Sequence, residues 1–244
     1  AVHHTGRRRV VVFSEGYHGG VITFAHGGSP VNVPHDWVLA DYNDVAAIDD
    51  LFDDVGDEVA AVLVEPVQGS AGCIAADPAF LQRLREQTAQ HSALLIFDEV
   101  MTSRLAFGGG QELFGVVPDL TTLGKYLAGG FTFGAFGGRR ELMAHFDGAA
   151  GGALGHAGTF NNNVVSMAAG VATLRDVLTA DVLREVNGRG DALRARLGAV
   201  FADHGLPMCV TGVGSMMTIH GTPGPVRMSR VYREPLRQGS TTGC

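Results

Sequence analysis

The sequence predicts an α/β fold built on a mostly parallel sheet. Residues 10–13, 59–64 and 93–97 are short, continuous runs of Val, Ala, Leu, Ile and Phe. They are too short for buried helices and lack the polar alternation of a strand with one wet face, so they read as strands covered on both sides. Between the second and third runs, residues 78–90 place Phe80, Leu81, Leu84 and the stem of Gln87 on one face, with Pro78 in the first turn and Asp77 as the expected cap. That is an amphipathic helix laid over a sheet. Strand, helix, strand in this order is a βαβ unit, whose strands run parallel. With 244 residues, 45% of them hydrophobic, the chain can bury a substantial core.

Residues 1–9 run directly into the first strand, as though the domain were entered midway. His3 and His4 are adjacent, with no third ligand evident, and read as surface residues; no metal site is expected. A loop over 14–20 sets Tyr17 and His18 among glycines. Residues 22–41, broken by Pro30 and Pro34, read as a loop with a short strand. Apolar residues at helical spacing over 44–52 follow Asn43 and Asp44, either of which suits a cap. The strand at 59–64 stops at Glu65-Pro66, where the proline ends it. Beyond 93–97, a short strand is expected at 119–123, a glycine-thinned strand with a close neighbour at 133–138, and a short helix at 139–146. A glycine and alanine loop, 148–155, leads to Ala157-Gly158-Thr159-Phe160 and a helix over 161–178. From Asp181 a charged helical pattern reaches Gly205, with interruptions expected at Gly188 and Gly190. A strand is expected at 216–220, after which 221–244 loses periodicity. The division expected is an α/β domain over 1–178 and the start of a smaller α+β domain over 179–244.

A formal charge of −7 argues against a nucleic-acid or anionic-membrane surface, and no apolar run approaches the length needed to span a bilayer. Cys73, Cys209 and Cys244 are odd in number, widely spaced and outside any C-x-x-C pattern, which suits a reducing, cytoplasmic compartment with neither zinc nor disulfides. Small-molecule chemistry is the class that remains.

The stretch 93–130 carries that chemistry. One buried strand ends in Asp98-Glu99, and the next reaches Gly124-Lys125. In open α/β sheets the ligand crevice lies beyond the carboxyl ends of the strands. Taken singly, an Asp there also serves as a turn or helix cap, and a Lys as a solvated charge. Taken together, an amine able to form a Schiff base and a carboxylate able to keep a ring nitrogen protonated are what pyridoxal 5'-phosphate requires of a protein. Lys125 is not a P-loop lysine, because position 119 is Asp and Tyr126 follows it. Nor does a G-x-G-x-x-G open a helix after a strand, which disfavours a nicotinamide-binding oxidoreductase.

Six blocks stand in register: Glu15-Gly16-Tyr17-His18-Gly19, Glu65-Pro66-Val67, Asp98-Glu99-Val100-Met101-Thr102, the run from Pro118 to Lys125, the run from Gly134 to Arg139, and Ala157-Gly158-Thr159-Phe160. In order and spacing they resemble the class III pyridoxal-phosphate aminotransferases, most of all the glutamate-1-semialdehyde aminomutase branch. The resemblance implies a fold-type I transferase large domain, whose N-terminal segment with its phosphate-binding turn lies outside this sequence. It implies Lys125 as the Schiff-base lysine and catalytic base, Asp98 as the partner of the ring nitrogen, and Val100 behind the ring. Tyr17 would lie flat on the ring, where the residues alone equally allow a tyrosine packing a turn. His18 would either orient a neighbouring carboxylate or support the turn. Glu65 would sit near the site, Ser70 would stand where aminomutases carry Asn near the phenolic oxygen, and Met101 where many ω-aminotransferases carry Gln. Gly158 and Thr159 would reach the cofactor phosphate of the other subunit in a homodimer. The substrates implied are a small-molecule amino donor and a carbonyl acceptor. Transfer within one molecule is an alternative, and an incomplete, inactive copy is another.

Overall fold

The runs read as strands form one sheet in the computed structural model, which describes residues 1–149, 153–159 and 161–222. Part of the 148–155 loop, Phe160 and the stretch beyond residue 222 lie outside the described residues. In chain order the elements are α1 (Val2–Thr5), β1 (Arg9–Phe13), β2 (Trp37–Ala40), α2 (Val45–Val55), β3 (Val59–Val64), β4 (Val67–Gln68), β5 (Ile74–Ala75), α3 (Pro78–Gln90), β6 (Leu94–Asp98), α4 (Gly109–Phe114), β7 (Leu120–Gly124), β8 (Gly134–Gly138), α5 (Arg140–Met143), α6 (Val164–Ala172), α7 (Ala180–Asp203), β9 (Cys209–Val213) and β10 (Met216–His220).

The main sheet has six strands in the order β2-β1-β3-β6-β7-β8. The first five are parallel and β8 closes the edge antiparallel to β7. Side chains alternate across the sheet. Val11 and Phe13, Val62 and Val64, and Leu95 and Phe97 meet Ile48 and Phe52 of α2 and Phe80, Leu81 and Leu84 of α3. Phe13, Phe52, Phe80 and Phe97 are at most 1% exposed, and each such side chain contributes about 1.5–3 kcal/mol by leaving water. Phe80 meets Phe13 and Tyr42 edge to face, with ring centroids 5.2 and 5.3 Å apart. On the opposite face, Val10 and Val12 pack with Phe24, and Ala61 and Leu94 with Leu142.

Local chemistry differs from expectation at several points. Asp44 caps α2, accepting from the N–H of Ala47 at 3.0 Å. Asp77 precedes α3 but its side chain makes no cap bond; its N–H donates instead to Asn43 Oδ1 at 2.8 Å, and Pro78 starts the helix. The strand expected at 119–123 is displaced by one residue, because Asp119 has another task. Its carboxylate accepts from Arg139 at 2.7 Å, Arg85 at 2.9 Å and the Leu95 N–H at 2.8 Å. Burial pushes this carboxyl up, but the two guanidiniums and the amide outweigh it and hold it below the ordinary Asp range. The glycine-thinned strand is β8, where a Cβ on Gly138 would overlap the carbonyl of Asp119. The helix expected from residue 161 starts at Val164, capped by the Asn163 side chain, and passes into a π-helical turn over Thr173–Val177.

The interruptions expected at Gly188 and Gly190 do not occur: α7 is continuous over 24 residues. Tertiary packing explains Gly190, which lies against the backbone of Gly214 so closely that a Cβ would overlap it, whereas Gly188 meets nothing within 4 Å. Strand β9, unanticipated, pairs antiparallel with β10, and Met216 packs with Val67, Cys73 and Leu105. Asn187 of α7 donates to the carbonyls of Arg104 and Leu105, both at 2.9 Å. Among the described residues no helix is long and apolar enough to cross a membrane.

The two glycines of α7 give opposite expectations. Gly188→Ala should stabilise the protein by about 0.5–1 kcal/mol through helix propensity, and Gly190→Ala should destabilise it by about 1–3 kcal/mol through overpacking. Urea denaturation of the two variants beside the parent checks the sign of each.

Candidate active site

Parallel pairing brings four chain reversals to one edge of the sheet. β1 leads into the Ser14–Gly20 loop, β3 into Glu65, β6 ends at Asp98, and β7 ends one residue before Lys125. These ends enclose a cleft of about 640 Å³. Tyr17, His18, Glu65, Ser70, Asp98, Val100 and Lys125, all singled out from the sequence, lie in its wall together with Met101. Gly158 and Thr159 do not; both are exposed, in the loop before α6.

Asp98 is 8% exposed, and its carboxylate is held on both oxygens. Oδ2 lies 2.8 Å from His18 Nδ1, while Oδ1 accepts from the Val100 N–H at 3.1 Å and the Thr122 hydroxyl at 3.3 Å. His18, expected either to orient a carboxylate or to support the turn, is thus in hydrogen-bond contact with Asp98. Thr122 was not anticipated: it stands beside Asp98 because β6 and β7 pair in the register Asp98↔Thr122, which local sequence does not encode. Glu99, the adjacent acid, points away, as consecutive residues at a strand end must. Its buried carboxylate accepts from the N–H groups of Gly110 and Gln111 and the hydroxyl of Thr102, so it braces the start of α4.

Lys125 follows directly on β7 with φ 52, a left-handed backbone conformation in a residue that has a Cβ. Such conformations cost about 1–3 kcal/mol and persist where surrounding structure enforces them, commonly at functional sites. Gly124, just before Lys125, lies close to the backbone of Phe133, where a Cβ would sit 3.3 Å from the carbonyl oxygen, and a Cβ there would be in ordinary contact with Val100. Tyr17 presents an aromatic ring 45% exposed, on a backbone pinned by its N–H to Glu65 Oε2 at 3.0 Å and by a bridge to Thr23. Glu65 also accepts from the Gly69 N–H through Oε1 at 3.2 Å. Burial pushes its carboxyl above the ordinary Glu range, against His18 and the two N–H donors, while the charge of Asp98 adds to the rise. Ser70 turns its hydroxyl to the carbonyl of Glu15 at 3.3 Å. Amine, oriented carboxylate and exposed aromatic face converge on one apolar-walled cleft.

A left-handed lysine and a histidine-held aspartate thus stand together at the carboxyl ends of parallel strands in an α/β fold. The family model of the class III aminotransferases matches residues 1–239, and the chain belongs to that family. It is 53% identical over 229 residues to beta-phenylalanine transaminase of Variovorax paradoxus, covering 94% of this chain and 52% of the relative. It is 43% identical over 239 residues to a glutamate-1-semialdehyde 2,1-aminomutase of Nitratidesulfovibrio vulgaris, covering 91% and 56%. Among solved structures, the beta-phenylalanine aminotransferase of Variovorax paradoxus superposes with a TM-score of 0.90 at 53% identity, over 93% of this chain and 52% of that one. The glutamate-1-semialdehyde aminomutase of Pseudomonas aeruginosa PAO1 gives 0.80 at 29% identity, over 94% and 55%. The fold is therefore that of the fold-type I aminotransferases, and the chain spans about half the length of the relatives it matches.

Glu65 generates a pH-dependent expectation. A carboxyl raised on folding takes up protons in the native state, so its contribution to stability is full below the ordinary Glu pKa and falls as pH rises through the native value. Glu65→Gln removes this titration and leaves one of the two N–H donors facing an amide N–H₂, at a cost of about 1–3 kcal/mol. The stability difference between parent and variant should narrow from pH 4 upward. Denaturant melts across pH 4–8 check it; a difference that widens with pH contradicts the assignment.

Proposed function

We propose that this chain is the cofactor-binding part of a class III aminotransferase that uses pyridoxal 5'-phosphate to move an amino group from a small-molecule donor to a carbonyl acceptor. The observation that carries this reading is the convergence of Lys125 and the His18-held Asp98 in one cleft, from the ends of adjacent parallel strands. The residues present fit the cofactor's ring and reactive end: a carboxylate for the ring nitrogen, an amine for the aldehyde, an exposed tyrosine face, and Val100 on the wall. When bound, pyridoxal phosphate supplies an aldehyde that captures amines and a cationic ring that takes up an electron pair.

The protein supplies the rest. Lys125 holds the cofactor through its Nζ and then moves a proton to and from the substrate's reacting carbon. Asp98 keeps a proton on the ring nitrogen, and His18 fixes the direction of that carboxylate. Tyr17 and Val100 confine the ring, while Glu65 and Ser70 shape the wall beside it. Gly158 and Thr159, away from this cleft, suit a second subunit's phosphate, which supports a homodimer. The large domain is taken to span residues 1–178 and the start of the small domain 179–244. Cysteine usage supports a cytoplasmic location. The identity to beta-phenylalanine transaminase makes beta-phenylalanine the first donor to test. Intramolecular transfer is the second reading, favoured by the aminomutase relatives.

Addition of pyridoxal phosphate to the purified chain should produce a visible absorbance band, and borohydride reduction followed by peptide mapping should place a covalent label on Lys125. Lys125→Ala should lose band and label while keeping its circular-dichroism spectrum. A label at another lysine, or none, removes Lys125 from the role.

A further inference from the structure

The hairpin of β9 and β10 reaches a turn beside the cleft, through side chains to which the reading above gives no task. One wall of the cleft is formed by Gly69 and Ser70, which open a tight turn ending at Cys73. The N–H groups of Gly72 and Cys73 both donate to the carbonyl of Gly69, at 3.1 and 3.2 Å. Gly72 has φ 105 and Cys73 φ 56, so a residue with a Cβ is held in the left-handed region, where external support is required. That support comes from about 140 residues away in the chain. The Thr211 hydroxyl donates to the carbonyl of Gly72 at 2.5 Å, and the Thr218 hydroxyl to Cys73 Sγ at 3.4 Å. Thr211 and Thr218 are cross-strand partners in the hairpin. His220, 6% exposed, places Nε2 2.7 Å from Thr211 Oγ1. A hydroxyl has one proton. Thr211 gives its proton to Gly72, so the proton between Thr211 and His220 comes from the imidazole, and the chain of donors runs His220 to Thr211 to the turn.

From this arrangement we infer that Thr211, oriented by His220, is a positioning residue that couples the C-terminal hairpin to the cofactor cleft by holding the Gly69–Cys73 turn. It acts through the turn and touches no reacting atom. Coupling between two equilibria is reciprocal: if the Thr211 bond tightens cofactor binding, bound cofactor must hold the turn closed by the same factor. Cys73, 7% exposed and on the turn itself, reports that closure. The inference rests on the cleft being the pyridoxal-phosphate site, and the readouts below separate the two.

Thr211→Val removes the donor at nearly constant shape and Thr211→Ser restores it. The rate of Cys73 alkylation by iodoacetamide, followed by peptide mass spectrometry so that the other cysteines are distinguished, needs no cofactor. Loss of this half-buried hydrogen bond should speed it about fivefold to tenfold in Thr211→Val, with Thr211→Ser near the parent. In titrations with pyridoxal phosphate, Kd should rise by a comparable factor in Thr211→Val alone, and cofactor should protect Cys73 less in that variant than in the parent. Faster alkylation in Thr211→Val with Kd unchanged overturns the coupling. Equal alkylation in all three proteins overturns the support of the turn. If the parent itself fails to bind pyridoxal phosphate, the function reading falls, and the alkylation rates still decide whether Thr211 holds the turn.

Discussion

The parallel pairing of β1, β3, β6 and β7 is the constraint on which the rest of this structure depends. Four strands that run the same way deliver their carboxyl ends to one edge, and whatever follows each strand must meet there. Tyr17 and His18, Glu65, Asp98 and Lys125 are remote in sequence yet share a cleft for that reason. Pairing of this kind needs both faces covered. The phenylalanine-rich layer between the sheet and α2 and α3 supplies one cover, and smaller clusters around Phe24 and Leu142 the other.

The same architecture buries acids and must satisfy each of them. Asp119 meets two guanidiniums and an amide, and Glu99 meets two backbone amides, the Gln111 side-chain amide and a hydroxyl. Both are structural ties between neighbouring elements. Glu65 and Asp98 face the cleft instead, and their partners are backbone amides, a threonine and a histidine rather than arginines. An arginine partner would pair the carboxylate with a fixed positive charge, whereas backbone dipoles, a hydroxyl and an imidazole fix its direction.

The C-terminal part extends this logic beyond the sheet. α7 is anchored through Asn187 to the backbone at Arg104 and Leu105, a few residues past Met101 in the cleft wall. The β9–β10 hairpin reaches the turn that forms another part of that wall.

By itself the sequence determined the element types of the sheet and its covering helices, the acid at the end of β6, the lysine after β7 and the family to which the motifs point. Those features are local: apolar runs, helical spacing and residues at fixed offsets survive without knowledge of what packs against them. Tertiary structure alone decided the remainder. Gly188 and Gly190 look alike in sequence, but only the second meets another backbone, and neither breaks the helix. Asp98 and Glu99 are adjacent acids of the same chemistry; the direction of one residue relative to the next, and the donors waiting on each side, made one a cleft group and the other a brace. The recruitment of Thr122 to Asp98 and of Thr211 to Gly72 depends on strand register and on contacts across the fold. Such contacts join residues with no local signal in common, so they exist only once the chain has folded.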